Sequence, residues 1–153
     1  MTIFSNVEHQ KRNRQIEGET GVDLKIDEGF FLIVLAMTDA NPKWTAKAQK
    51  AFNELNRLRN AGAQHGRLDR QWAELFADTI VIGWHGGLDD DDNLKPFGGL
   101  DASGDPVAFS RDNCVAYLVE TDDASEAILE HCRNTKNFRA RRADLIKDTA
   151  KNG

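Results

Sequence analysis

Residues 30–37, Phe-Phe-Leu-Ile-Val-Leu-Ala-Met, form an eight-residue run with no polar side chain. The run is far short of the about 20 apolar residues that a membrane-spanning helix needs. It is also apolar on both faces, so whatever it forms must be covered on two sides. Just before it, Val22, Leu24 and Ile26 alternate with Asp23, Lys25 and Asp27, the period-two pattern of a half-buried strand. Asp27-Glu28-Gly29 supplies a turn between the two segments. Together they predict a β-hairpin over 21–38. A lone two-stranded hairpin is marginal in water. Its second face must therefore meet helices, another strand or another subunit.

The rest of the chain has helical periodicity. Asn41 is placed to cap and Pro42 to open a helix over 42–61. Trp44, Ala48, Ala51, Phe52, Leu55 and Leu58 share one stripe of it, and Gly62 ends it. A second helix is predicted over 68–84. Its stripe is Trp72, Leu75, Phe76, Thr79, Ile80 and Gly83, and its end, 79–84, is apolar nearly all round. The short gap between the two helices favours an antiparallel pair. Residues 85–106 form a long loop with five glycines and a net charge of −5. Ser110 caps a helix over 111–120, and Thr121-Asp122-Asp123 restarts the chain into another over 124–134. A last helix, 136–150, carries Phe138, Leu145 and Ile146 in a setting of net charge +4 between 136 and 151. The polar residues 1–20 are expected to form a flexible arm, and 21–150 a single compact domain. The predicted fold class is α+β, mainly α: an N-terminal β-hairpin followed by a bundle of four to five helices with a long acidic loop.

At 153 residues, 40% of them hydrophobic, the chain can bury a core without disulfides or metal. Its net charge of −5 argues against nucleic acid as partner, since phosphate binding needs a basic surface. The first 15 residues contain no apolar stretch of signal-peptide length, so no secretory signal is expected. Cys114 and Cys132 are then expected to be reduced thiols in a cytoplasm-like compartment.

The search for reacting groups is unproductive. Asp89, Asp91 and Asn93 fall at positions 1, 3 and 5 of a calcium loop, but Leu94 and Leu100 stand where that loop needs glycine and glutamate. His9, His65, His85 and His131 are scattered and lack metal-ligand spacing. Gly83-Trp84-His85-Gly86-Gly87 lacks a phosphate-cradling pattern and, on the prediction above, follows a helix. Trp44, Trp72 and Trp84 sit on apolar helix faces, where core is the default. The expectation is a chain with no catalytic, cofactor-binding or metal-ligating residues that acts by binding other proteins. Phe31, Ile33, Leu35, Trp44 and Phe52 form the candidate apolar interaction surface. Asp89 and Asp91 are candidates to pair with Arg139 and Arg142 between subunits, head to tail.

One family is similar in pattern. Gly83-Trp84-His85-Gly86 is followed by an acidic, glycine-containing loop. Pro106 to Phe109 then leads through Ser110 into Arg111-Asp112-Asn113 and a helix, with Asn137-Phe138 and Ala150-Lys151-Asn152 further on. This arrangement resembles the tail assembly chaperones of long-tailed, siphovirus-like bacteriophages over about residues 20–152. The stretches 89–95 and 96–100 are additional to that pattern. The resemblance implies a non-catalytic protein of the host cell cytoplasm. It would coat the tape measure protein, recruit tail tube protein, associate with itself, and be absent from the mature virion. It also marks Gly83, Trp84, Phe109, Ser110 and Phe138 as the family's structural positions. The alternatives are a structural minor tail or tail completion protein and, more remotely, a protein that binds divalent cations through the acidic loop.

Overall fold

The computed structural model describes residues 11–62, 65–97 and 103–139. Its sheet has three antiparallel strands in chain order: β1 (Val22–Asp27), β2 (Phe30–Val34) and β3 (Val81–His85). Four helices accompany it: α1 (Pro42–Asn60), α2 (His65–Thr79), α3 (Arg111–Glu120) and α4 (Asp122–Cys132). The fold is α+β and mainly α, as the sequence implies, but the sheet has one strand more than the hairpin.

That third strand corrects the helix predicted over 68–84. The helix ends at Thr79, and Val81 to His85 is extended and pairs with β2. The segment is apolar nearly all round, and a short apolar run alone does not distinguish helix from strand. Strand β3 gives the apolar run its second edge partner. Strand β2 is the central strand, bonded on both edges, with Leu32 and Val34 buried on one face and Phe31 and Ile33 half-buried on the other. Residues directly opposite in adjacent strands share a face. Val22 faces Val34 and Leu24 faces Leu32, while Val34 faces Val81, and all five are buried. The other face carries Asp23 beside Ile33, Lys25 beside Phe31, and then Gly83 and His85. A Cβ on Gly83 would lie 3.1 Å from Ile33 Cδ1, so the glycine lets that side chain lie across β3.

The predicted caps form. Asn41 Oδ1 accepts the Trp44 N–H at 3.4 Å, and Ser110 Oγ accepts the Asn113 N–H at 3.0 Å. Asn41 does more than cap. Fully buried, it donates from Nδ2 to the carbonyls of Ala36 (3.0 Å) and Thr79 (2.8 Å), fastening the end of the hairpin to the end of α2. Helix α2 is the hub, touching α1, α3, α4 and β3. Helix α4 begins at Asp122, two residues earlier than expected, and ends at Cys132. Of the helix predicted over 136–150, residues Thr135–Phe138 are a single 3₁₀ turn with Phe138 fully buried; 140–150 lie outside the described residues.

Residues 11–20 differ from the loose arm expected. Ile16–Thr20 forms a π-helical turn, and Ile16 and Glu17 are buried in the core. Glu17 O accepts the Ala36 N–H at 2.8 Å. The turn lies so close to the chain after β2 that a Cβ on Gly18 would collide with the Ala40 carbonyl. The flexible-arm expectation for 1–10 lies outside the described residues. Among the described residues, no helix is long and apolar enough to cross a membrane.

Candidate partner-binding cleft

Of the five residues of the candidate apolar surface, Leu35 is buried and the other four are half-buried. Leu35 is 3% exposed, and its N–H bonds to Ile80 O at 2.9 Å. Phe31 is half-buried, its ring stacked on His85 at 5.0 Å and 5°. Trp44 and Phe52 begin a chain of edge-to-face and tilted rings that continues through Trp72 to Phe76, with centroids 5.5–5.7 Å apart. Ile33 is half-buried on the same sheet face as Phe31, lying over Gly83. The large apolar residues exposed beyond a third among those described are Ile82 (38%) and Leu94 (49%).

The positions marked by family resemblance all have structural work. Trp84 stacks on Phe97 (4.8 Å, 17°), meets Phe109 edge-on (5.2 Å) and donates its indole N–H to Val107 O at 3.0 Å. Phe97, 2% exposed, also contacts Phe30 and Tyr117. This is the anchor the sequence reading missed. Phe97 stands in a stretch of glycine, proline and aspartate, and nothing in its local pattern signals burial. Its insertion pins the far side of the acidic loop to the sheet.

The acidic run itself is a tight turn. Gly86 N–H bonds to Lys95 O, Lys95 N–H to Gly87 O and Asp89 N–H to Asn93 O, and Leu88 pairs with Leu94. Asp89 Oδ1 accepts the amides of both Asp91 and Asn93 at 2.9 Å. Asp89 is therefore a turn-former, with Asp92 at φ +63° in the left-handed region. No group of three His, Cys, Asp or Glu side chains converges among the described residues. No ion pair joins Asp89 or Asp91 to Arg139 within the chain; Arg139 is half-buried with its Nε unpartnered, and Arg142 lies outside the described residues.

One further group was not foreseen, and the two cysteines are free as expected. His85 is 5% exposed and bridges the sheet. Gly87 N–H donates to its Nδ1 at 2.9 Å, so Nε2 carries the proton and meets Asp23 Oδ1 at 2.9 Å. Burial pushes the Cys114 thiol up to about 12 and raises Cys132 as well, so both are poor nucleophiles, free and buried.

A cleft of about 560 Å³ lies open between α2 and α4, closed at its base by α3. Its floor is Phe76 and Leu118, both buried. Its walls are Trp72 and Leu129, both half-buried. Its rim is Asp69 on α2 and Ser125 and Glu126 on α4. The spacing explains the layout. Asp69, Trp72 and Phe76 fall at i, i+3 and i+7 of α2, and Glu126 and Leu129 at i and i+3 of α4, so each helix turns a carboxylate and, one turn later, an apolar residue into the gap. Sequence periodicity assigned Trp72 and Phe76 to the core stripe, which is right for Phe76. The cleft itself needs α4 to be splayed from α2, which no local pattern encodes.

The family described as YdaY prophage protein matches residues 39–152. No curated protein and no solved structure matches the chain. The matched span begins in the turn before α1 and takes in both walls and the floor of the cleft. With well over half its length inside that match, the chain belongs to the YdaY prophage protein family and is a phage-related protein.

Proposed function

We propose that this protein is a non-catalytic tail assembly chaperone, which holds the tape measure protein in soluble form and recruits tail tube protein during tail morphogenesis in the host cytoplasm. The observation that carries the reading is the α2–α4 cleft. Its floor and walls are apolar, it is open among the described residues, and it is built from two helices in the manner of grooves that receive an amphipathic helix. The prophage family membership supplies the phage context. The resemblance of residues 83–86 and 106–113 to tail assembly chaperones supplies the role. Self-association belongs to the proposal, with the outer sheet face around Ile33 as its apolar contribution.

Co-expression with the tape measure protein encoded in the same prophage tests it. The expected result is a soluble complex that co-purifies, lost when Trp72 and Leu129 are both replaced by Ser. A tape measure protein that stays insoluble or unbound in the presence of the native chain rejects the proposal. Mass spectrometry of purified particles separates the structural alternative: abundant copies in mature tails would make the protein a minor tail or tail completion component.

A further inference from the structure

We propose that the cleft selects its partner by charge, taking an amphipathic helix that carries lysine or arginine on both flanks of its apolar stripe, with Asp69 and Glu126 as the residues that set the preference. The inference rests on the cleft being the partner site, but not on which protein the partner is.

The two walls are acidic in the same register. Each places a carboxylate one helical turn before its apolar wall residue: Asp69 before Trp72, and Glu126 before Leu129. Neither carboxylate has an ion-pair partner among the described residues, whereas their neighbours do. On α2, Arg70 is paired with Glu74 at 3.2 Å, and Asp78 is held by Arg111 at 2.9 Å, with Lys47 at 3.8 Å. These three cations, Arg70, Arg111 and Lys47, are therefore engaged with other carboxylates. Helix α4 goes further, carrying four acidic residues and no lysine or arginine in its 11 residues. The positive end of its dipole accounts for Asp122 and Asp123 in the first turn. Glu126 lies a turn further on, where that benefit has faded, and it faces the cleft.

A helix seated on Phe76 and Leu118 has its flanks beside both rims. Both rim carboxylates are exposed in the free protein; a docked helix excludes part of the water around them, and opposite charges there gain, and like charges repel, more than in open water. A helix with glutamates at the same places meets repulsion on both sides. An uncharged apolar helix fills the floor but leaves the rim acids unmatched.

The test uses the full-length chain and two synthetic amphipathic helices with the same leucine stripe, one flanked by lysines and the other by glutamates. Fluorescence anisotropy at low ionic strength should give Kd at least about tenfold tighter for the lysine peptide, with the difference collapsing near 0.5 M salt. The double reversal Asp69→Lys with Glu126→Lys should invert the order of the two peptides while far-UV circular dichroism stays native. The milder Glu126→Gln serves as the second variant, narrowing the gap by about threefold if the reversal perturbs folding. Equal binding of the two peptides, or a preference that survives reversal in a folded variant, overturns the charge rule. Failure of both peptides to bind overturns the cleft as a helix site; the co-expression experiment then decides the chaperone reading on its own terms.

Discussion

Glu17 is a carboxylate with no exposed surface, set beside Ile16 in the core. Burial alone would push its pKa up. The bonds from Arg12 at 2.7 and 3.1 Å, the Thr38 hydroxyl at 2.7 Å and the charges of Arg12 and Arg14 together outweigh that, and the carboxyl is held below its ordinary range. Arg12 and Arg14 also reach Asp39, which they hold low as well, so the residues preceding β1 are tied to the turn after β2 by charge. Glu17→Gln keeps the shape and removes the charge, and it should lower unfolding free energy by about 2 kcal/mol in urea titrations. A loss under about 0.5 kcal/mol would mean that the network is ornamental. His131 gives a separate signature. It is half-buried at the end of α4 against Phe138, its Nε2 has no partner, and burial depresses its pKa below 6.5. The unfolded chain takes up the proton first, so stability is full above about pH 6.5 and declines as pH falls towards the folded value. Glu17 acts in the same direction lower down, with its contribution present above the unfolded value near 4.5 and lost as pH falls through the depressed folded one. Thermal melts should therefore show Tm falling from pH 7 to 5 in the native chain. The slope over that interval should flatten in His131→Gln, and an unchanged slope would remove His131 as its source.

At the scale of elements, the clearest contrast lies between neighbours in β2. Leu32 faces the helices and is fully buried, whereas Ile33 lies on the opposite face, over Gly83, and is half-buried. Leu32→Ala should cost about 3 kcal/mol through lost burial and the cavity it leaves. Ile33→Lys should cost about 1 kcal/mol, since a lysine stem can lie along the strand with its ammonium in water. Chemical denaturation with an unchanged m-value measures both; equal losses would mean that both faces of β2 are closed. This is where the sequence was least informative. The alternation over 22–27 and the caps at Asn41 and Ser110 are local signals, and each element they announce is present. Strand β3 was hidden because its segment is apolar nearly all round, a pattern that satisfies helix and strand equally. The β-branched run Thr79-Ile80-Val81-Ile82 followed by glycine was the available hint. Phe97 and Ile16 were hidden for another reason: their neighbours are polar, and only tertiary contact buries them. The cleft was half legible, since Trp72 and Leu129 could be placed on apolar stripes while the gap between those stripes depends on how α2 and α4 are set apart.

The whole molecule raises a question about its own boundaries. The family match begins at residue 39, after β1 and β2, yet those strands supply two thirds of the sheet and much of the core. Val22, Leu24, Leu32, Val34, Leu35 and Ala36 are all buried, and Ile16 closes over them. Without residues 1–38, β3 would have no partner strand, its backbone polar groups on the β2 side would be stranded, and the sheet-facing side of α2 and α4 would be bare. An isolated strand of five residues does not persist in water. The fragment 39–153 should therefore keep helical far-UV circular dichroism but lose near-UV signal and cooperative melting, and bind a hydrophobic dye, the behaviour of a collapsed chain without fixed packing. Adding a separate fragment 1–38 should restore a cooperative transition, because both strand edges and the Arg12–Glu17 tie travel with it. A 39–153 fragment that melts cooperatively by itself would show that the matched region is an autonomous unit with the hairpin as an accessory. The helix-walled cleft would then be separable from the sheet, and peptide binding by that fragment would measure how far the sheet contributes to holding α2 and α4 apart.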